Sequence, residues 1–350
     1  MKRILFVTDA RSTAFPAMSL LAGALPLERY RTTIAVVGPS PGHALRDDLA
    51  HAAPHATLTL LDGALETDEG CWDKIDELRG KLILFCERSR PDLIHTTQLS
   101  LARLPWEGPR VVTATHDLLT WTRITNRTPG VDLTRYRAEV KSGLEAASVV
   151  VAPSAFVARE LERNYGLADA ARVVRHGTVP APRAVAERGL LGIACGDMDA
   201  PEDRLDLLSA VAGRLPGKIG IVGSTPRTLP AGLVALGKPS GKDLFALMSG
   251  AKIYLGLSRY DPVGLEVAAA QAVGARLILL DTPIHRELWS GAAELVHDPE
   301  SLANAIRRAA AAPRPPRPAF PRHPITTTAA AYVRLYEELL GGAEEPGLAA

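Results

Sequence analysis

The residues with the clearest chemical potential lie in one short stretch, where an acid precedes a helix-compatible segment. Asp261 is followed by Pro262 and Gly264, which shape a tight turn after an apolar run. The helix-compatible segment covers residues 265–273, and Gly274 is placed to end it. Backbone N–H groups and the positive end of a helix dipole would then lie beside a carboxylate. This arrangement suits a ligand that carries both phosphate and hydroxyl groups.

Short apolar runs alternate with helix-length segments along the chain, a pattern that predicts βαβ units and parallel sheets. In the first half, strands are expected at 4–7, 33–37, 93–95, 111–114 and 149–152, with helices at 73–89 and 155–165. The pattern restarts after a proline-containing linker, with strands at 191–194, 219–222, 233–236, 253–257 and 277–280. We therefore expect two similar α/β halves, each able to bury its own core, with ligands at the carboxyl ends of the strands.

Composition and charge exclude several classes of protein. The 350-residue chain has a formal net charge of +1, which argues against a strongly basic nucleic-acid-binding surface. No apolar run approaches the roughly 20 residues that cross a bilayer, and peripheral membrane contact, though open, is not indicated. The three cysteines are far apart and form no CxxC pair, so neither a metal site nor a disulfide framework is expected. We expect a cytoplasmic protein in a reducing compartment.

Several further motifs flank the predicted strands. They are Arg-Pro-Asp-Leu-Ile-His at 90–95, a strand ending in Thr-His-Asp-Leu at 111–118, Ser154 at a helix start, Val-Val-Arg-His-Gly at 173–177, Ile-Val-Gly-Ser-Thr-Pro at 221–226 and His-Arg-Glu at 285–287. In number, order and spacing, these motifs and the 258–274 stretch resemble the retaining GT-B glycosyltransferases of glycosyltransferase family four. The resemblance covers nearly the whole chain.

The resemblance implies an α/β fold of the GT-B type, with two Rossmann-like doubly wound domains facing a central cleft. The domains would be an acceptor domain at 1–178, a nucleotide-sugar donor domain at 179–325, a C-terminal helix at 326–341 that crosses back onto the first domain, and a disordered tail at 342–350. The implied function is transfer of a sugar, with retention, from a nucleotide-sugar donor to a small hydrophilic or glycan acceptor. The nucleotide sugar would be a co-substrate, and no metal or other cofactor is expected.

Residue by residue, the resemblance assigns catalytic roles to His116 and Asp261. The donor would contact Gly223, Arg204, Lys238, Arg259, Gly264, Leu265 and Glu266. The acceptor would dock near Arg11, Ser12, Thr13, Trp121 and Arg123. Simpler interpretations stay open beside these: the histidine satisfies loop carbonyls, Asp261 also caps the helix, Glu266 is a solvated helix residue, and the cations are merely exposed.

The donor motif is incomplete. The family has two acids separated by seven residues, and the second position is occupied here by Ala269. The loop at 196–204, where the family carries phosphate-neutralising cations, contains four carboxylates and Arg204. An alternative function is therefore a catalytically weak or inactive GT-B protein that binds sugar nucleotides or serves as a partner subunit. The sequence leaves open the donor base and sugar, the acceptor, the linkage and the oligomeric state.

Overall fold

The computed structural model describes residues 1–10, 14–38, 40, 42–114, 132–167, 171–180, 189–319 and 321–341. These residues divide into two compact units. Unit 1 contains the described residues up to Arg175 together with those from Ile325 onward, and unit 2 contains His176–Pro324. The division falls three residues before the boundary expected at 178.

Unit 1 is built on a parallel sheet with the strand order β3-β2-β1-β4-β5-β6-β7. The strands are β1 Lys2–Asp9, β2 Tyr30–Val37, β3 Thr57–Leu61, β4 Leu93–Thr96, β5 Arg110–Thr113, β6 Val149–Ala152 and β7 Arg172–Val173. The helices are α1 Ala14–Ala24, α2 His43–Ala52, α3 Trp72–Ser89, α4 Leu133–Glu145, α5 Ala155–Tyr165 and the final helix α11 Ile325–Leu339, with a 3₁₀ turn at Leu99–Ala102. Among the described residues, every strand pair in this sheet is parallel.

Unit 2 repeats this architecture with the strand order β10-β9-β8-β11-β12-β13. The strands are β8 Gly192–Cys195, β9 Ile219–Val222, β10 Leu233–Gly237, β11 Ile253–Gly256, β12 Arg276–Leu280 and β13 Ala293–Val296. The helices are α6 Leu205–Val211, α7 Gly241–Gly250, α8 Leu265–Ala272, α9 Pro283–Trp289 and α10 Pro299–Ala311, with 3₁₀ turns at Pro201–Asp203 and Ala212–Arg214. Apolar side chains of the central strands and of α6 and α10 form its core.

Local sequence explains where several helices begin and end. Ser154 caps α5 by accepting a hydrogen bond from the Val157 N–H, as expected for this residue type, and Gly166 ends the helix in the left-handed region. In unit 2, Asp298 and Ser301 form a reciprocal capping box at the start of α10. These caps satisfy N–H groups that have no partner inside the helix.

The final helix lies in unit 1, where two of its tyrosines reach a buried histidine. His95 is fully buried, with Nδ1 2.6 Å from the Tyr336 hydroxyl and Nε2 2.6 Å from the Thr113 hydroxyl. The Thr113 hydroxyl also lies 2.8 Å from that of Tyr332. This network fixes α11 to the sheet at β4 and β5, because each hydroxyl is buried and needs a hydrogen-bond partner.

The predicted α/β class with two parallel sheets is confirmed. The sequence pattern did not predict α2, β3, α9 and β13, and it predicted a helix only at 144–147 where the structure has α4 at Leu133–Glu145. Strand β3 is an edge strand of only five residues, Thr-Leu-Thr-Leu-Leu, which gives a weak periodic signal. The expected tail at 342–350 lies outside the described residues. Within the described part of the chain, no helix has the length and apolar character needed to cross a membrane.

Candidate functional site

Three loops of unit 2 meet at one edge of its sheet. They follow β8, β9 and β11, which are neighbours in the sheet and run parallel. Parallel strands end at the same edge, so the loops at 196–204, 223–226 and 257–264 lie together. Most of the donor residues predicted from the sequence are in or beside these loops.

Asp261 is held by the start of the helix that it precedes. Its Oδ1 accepts a hydrogen bond of 2.7 Å from the Gly264 N–H, and Gly264 adopts a left-handed conformation with φ of 65°. Helix α8 begins at the next residue, Leu265. Asp261 therefore binds the N–H of the residue just before the helix, an N–H that was expected to face a donor oxygen, and no side chain among the described residues caps an N–H of α8 itself. N–H groups of the first turn of α8, beginning with Leu265, are the ones that helix geometry leaves for a ligand.

The position of the second family acid lies on the packed side of α8. Ala269 is only 7% exposed, whereas Glu266 and Asp261 are each partly exposed. A larger side chain at position 269 would need the surrounding core to move. The carboxylate of Glu266 is thus the one that α8 itself offers to the site.

Burial raises the pKa of three carboxyl groups in this region. Burial raises the pKa of Glu266 to about 7, with a further contribution from the charge of Asp261. Burial also raises the pKa of Asp261 to about 6, helped by Asp203 and opposed by the Gly264 N–H. Asp203 likewise has a pKa raised to about 6, mainly by burial. The cluster therefore holds protons near neutral pH that isolated carboxyl groups would have released.

We expect Glu266→Gln to stabilise the protein at pH 8. Because the pKa values of these acids are higher in the folded state than in the unfolded chain, their contribution to stability is lost as the pH rises from about 4 to about 7. An uncharged amide escapes that loss, so the gain should be on the order of 1–2 kcal/mol at pH 8 and should vanish near pH 4. Thermal melts from pH 4 to pH 8.5 measure it.

Glu300→Gln is the matched control, because Glu300 is an exposed acid of the same unit that pairs with Arg214. Its effect should stay below about 0.5 kcal/mol across this pH range. A Glu266→Gln protein that is less stable than the unsubstituted chain at pH 8 would show that the carboxylate is favourably solvated instead.

Two of the cations predicted to meet phosphate, Arg204 and Lys238, have carboxylate partners within unit 2. Arg204 donates from Nε and Nη2 to Asp206, at 2.9 and 3.3 Å. Lys238 Nζ lies 3.5 Å from an oxygen of Asp197, and the lysine side chain is 68% exposed. Arg259 is exposed, and its backbone N–H donates to the Glu202 carbonyl. Of these cations, Lys238 is thus the one that a donor phosphate could bind most easily, because its exposed ion pair with Asp197 is weak at this distance.

The acidic loop at 196–204 has a structural role. Asp197 accepts from the Ser224 N–H at 2.6 Å, and Asp203 accepts from the Asp197 N–H at 2.8 Å. The Ser224 N–H, aided by Lys238, lowers the pKa of Asp197. A Cβ atom on Gly223 would lie 2.1 Å from the Gly196 carbonyl oxygen, so glycine permits the contact between the two loops. Two of the four carboxylates that looked unfavourable for phosphate therefore order the loops of the site.

The His-Arg-Glu motif is placed on α9, where its histidine is part of the core. His285 is 1% exposed, and its Nδ1 lies 2.7 Å from the Leu280 carbonyl oxygen. Since a carbonyl only accepts, Nδ1 carries the proton, and burial lowers the pKa of the ring so that it stays neutral. Arg286 binds Asp281 through two hydrogen bonds of 2.5 and 2.7 Å.

The predicted catalytic His116 and all the predicted acceptor residues lie outside the described residues. The latter are Arg11, Ser12, Thr13, Trp121 and Arg123. Their roles therefore stay predictions. Within the described residues, no group of three or more His, Cys, Asp or Glu side chains is placed to hold a metal ion.

Comparison with known proteins identifies the chain. Residues 24–181 match the family model Glycosyltransferase Family 4. A sucrose-phosphate synthase from Thermosynechococcus elongatus has the same fold, with a TM-score of 0.77 at 17% identity, and the match covers 98% of this chain and all of that one. The chain is a glycosyltransferase of the GT-B type. At this level of identity the solved structure shows the fold, and the family domain shows the class of enzyme.

Two further solved structures resemble this glycosyltransferase over nearly their whole length. HepE from Anabaena, solved with UDP and glucose, has a TM-score of 0.66 at 15% identity, with 97% of this chain and 96% of that one covered. AviGT4, a glycosyltransferase involved in avilamycin A biosynthesis, has a TM-score of 0.59 at 16% identity, with 98% and 99% covered. No curated protein matches the sequence.

Sequence reasoning missed two polar groups in this glycosyltransferase. In unit 2, the Cys195 thiol and the Tyr254 hydroxyl lie near each other and near Asp261 and Glu266, and burial raises the pKa of both groups. In unit 1, Gln98 Nε2 donates to Asp9 at 2.8 Å, and Glu66 accepts from the Ser100 N–H at 2.9 Å. Asp9 ends β1 and Gln98 lies two residues after β4, so their place at the carboxyl ends of neighbouring strands is a signal that would have found them.

Proposed function

We propose that this glycosyltransferase moves a sugar, with retention of anomeric configuration, from a nucleotide-sugar donor to a small hydrophilic or glycan acceptor. The donor binds unit 2 at the carboxyl ends of β8, β9 and β11, and the acceptor binds unit 1. HepE, which has the same fold, has been solved with UDP and with UDP-glucose, which supports a nucleotide-sugar donor here. The proposal assigns no metal ion or other cofactor, and no nucleic acid or membrane partner. Three free thiols support a reducing, cytoplasmic location.

The observation that carries the proposal is the Asp261 turn at the start of α8. One oxygen of Asp261 is bound by the Gly264 N–H at 2.7 Å, which fixes the carboxylate at the helix N-terminus. Its second oxygen can then accept from a sugar hydroxyl, while N–H groups from Leu265 onward face phosphate oxygens. A carboxylate and an N-terminal dipole at one point favour a ligand with both groups, which is the chemistry of a nucleotide sugar.

Transfer separates charge, and the proposed residues act on each part of it. Breaking the bond between the anomeric carbon and phosphate leaves positive character on the sugar and negative charge on the diphosphate. The N-terminus of α8 stabilises the negative charge, aided by Lys238, Arg204 and Arg259. By resemblance to the family, His116 contacts the sugar and the leaving phosphate accepts the proton of the acceptor. Glu266 binds a donor hydroxyl placed differently from the one that the family's second acid holds.

Isothermal titration against UDP, GDP, ADP, CDP and dTDP tests the donor site. At least one of these should bind with a Kd below about 1 mM, since a helix N-terminus and several cations contribute. The corresponding nucleoside, which lacks phosphate, should bind at least about tenfold more weakly, because it loses the phosphate contacts. Failure of all five to bind would contradict the proposal.

A second assay then separates the enzyme from the alternative function. The matching nucleotide sugars should be hydrolysed slowly when no acceptor is present, because water can replace the acceptor hydroxyl. Nucleotide binding without any hydrolysis or transfer would favour a sugar-nucleotide-binding or partner subunit. Two observations support this alternative function. The second family acid is replaced by Ala269, and Arg204 and Lys238 have carboxylate partners within the protein.

A further inference from the structure

A proline-rich segment contacts the carboxyl ends of two helices whose amino ends lie near the proposed donor site. This segment, residues 312–319, is here called the proline strap and contains Pro313, Pro315, Pro316 and Pro318. It passes over the carboxyl ends of α7 and α8, which pack against each other. A Cβ atom on Gly274, just after α8, would lie 3.1 Å from the Arg317 Cα and 3.2 Å from the Pro315 carbonyl oxygen. The strap therefore lies directly on the end of α8.

Arg314 of the strap joins these two helix ends with four hydrogen bonds. From α7 it reaches the Ser249 carbonyl through Nη1 at 2.5 Å and the Met248 carbonyl through Nη2 at 3.4 Å. From the end of α8 it reaches the Val273 carbonyl through Nη2 at 3.0 Å and the Gly274 carbonyl through Nε at 3.3 Å. All four oxygens come from the last turn of a helix or the residues just after it.

The guanidinium group supplies hydrogen-bond donors and positive charge to the carbonyl groups at these helix ends. The last four carbonyls of a helix have no intrahelical partner, and the C-terminal end carries partial negative charge. A planar cation with five N–H donors can satisfy two such ends together, which an ammonium group cannot do with the same geometry. Arg314 thus sets the positions of the two ends relative to each other.

The opposite ends of these helices carry the proposed donor residues. Helix α7 begins three residues after Lys238, and α8 begins four residues after Asp261. At about 1.5 Å per residue, the helices transmit a displacement over roughly 12–15 Å. We infer that Arg314 is a positioning residue for the donor site, acting through α7 and α8. This inference rests on the proposed function.

The strap has other attachments, so loss of Arg314 should not release it. Arg276 donates to the Pro313 carbonyl at 2.9 Å, and beyond the strap the Arg322 N–H donates to the Gln271 side chain at 3.2 Å. Arg317 reaches the Ser249 hydroxyl at 3.4 Å. Variants at position 314 should therefore fold, with α7 and α8 less firmly joined.

The test compares Arg314→Gln and Arg314→Lys with Arg110→Gln. Arg110 is a matched control in unit 1, because it also donates to backbone carbonyls, those of Leu104, Trp106 and Ala146. Arg314→Gln should weaken nucleoside diphosphate binding by about tenfold, because small displacements of contacting groups are costly. Arg314→Lys should recover part of the loss. Arg110→Gln should lower the melting temperature without changing nucleotide affinity.

A second readout does not depend on nucleotide. Amide hydrogen exchange at residues 264–268 should be faster in Arg314→Gln than in the unsubstituted chain, and unchanged in Arg110→Gln. Unchanged exchange and affinity in Arg314→Gln would overturn the inference, as would equal losses in both variants. If the unsubstituted protein binds no nucleotide, the proposed function fails, and the exchange measurement still decides whether Arg314 fixes the Asp261 turn.

Discussion

Asp261→Asn should lower sugar transfer by about 100-fold or more without lowering thermal stability. The asparagine side-chain oxygen can still accept from the Gly264 N–H, which Asp261 binds at 2.7 Å, so the turn and the helix start are retained. What is lost is the negative charge beside the sugar, where positive character develops in the transition state. Donor hydrolysis and transfer, measured with the nucleotide sugar found by titration, give the rate, and melting curves give the stability.

Asp298→Asn is the control for a purely structural carboxylate. Asp298 accepts a backbone N–H, from Ser301 at 2.7 Å, at the start of a helix in the same unit. This change should cost about 1 kcal/mol or less of stability and leave transfer intact. If Asp261→Asn loses activity only because the protein unfolds at the assay temperature, or if it keeps its activity, then the role of Asp261 is structural alone.

His95→Ala should destabilise unit 1 by about 3–5 kcal/mol. The histidine is fully buried, and its two ring nitrogens each lie 2.6 Å from a buried hydroxyl, those of Tyr336 and Thr113. Its ring centroid also lies 5.0 Å from that of Tyr332 and 5.2 Å from that of Phe6. Alanine would leave a cavity and two hydroxyls without this partner. Urea unfolding followed by far-UV circular dichroism measures the loss.

Tyr332→Phe provides the smaller step for comparison. It removes one hydroxyl, 2.8 Å from that of Thr113, and keeps the ring in place, so about 1 kcal/mol should be lost. An unchanged urea midpoint in His95→Ala would mean that water or a rearranged side chain replaces the histidine. The fold would then depend on α11 through apolar packing alone.

The sequence was sufficient to predict the fold, because the apolar runs of the central strands and the helices between them have strong periodicity. Helix α3 and strands β4 and β6 agree with expectation to within a residue or two. Edge elements such as β3 and β13 are short and half-polar, so their pairing depends on neighbours that the local sequence does not reveal. The same holds for α9, which has only seven residues.

The candidate site was predictable in part. Asp261 could be found because its carboxylate, the turn and the helix are adjacent in sequence. The role of Asp203 could not, since its hydrogen bond to the Asp197 N–H depends on how the acidic loop closes on itself. The carboxylate partners of Arg204 and Lys238 depend similarly on side-chain geometry. The contact of Arg314 with two helix ends could not be predicted, because it depends on the path that the strap takes across them.

The contribution of α11 to unit 1 has a consequence for synthesis on the ribosome. Residues His176–Pro324 form a separate unit, so they interrupt unit 1 in the chain. The nascent first half exposes the surface that Tyr332 and Tyr336 later cover, until the intervening roughly 150 residues have been translated. At ~5–20 residues per second, this delay lasts on the order of 10–30 seconds. Unit 2 can therefore complete its core first, and the chaperone requirement should fall on the earlier-synthesised half.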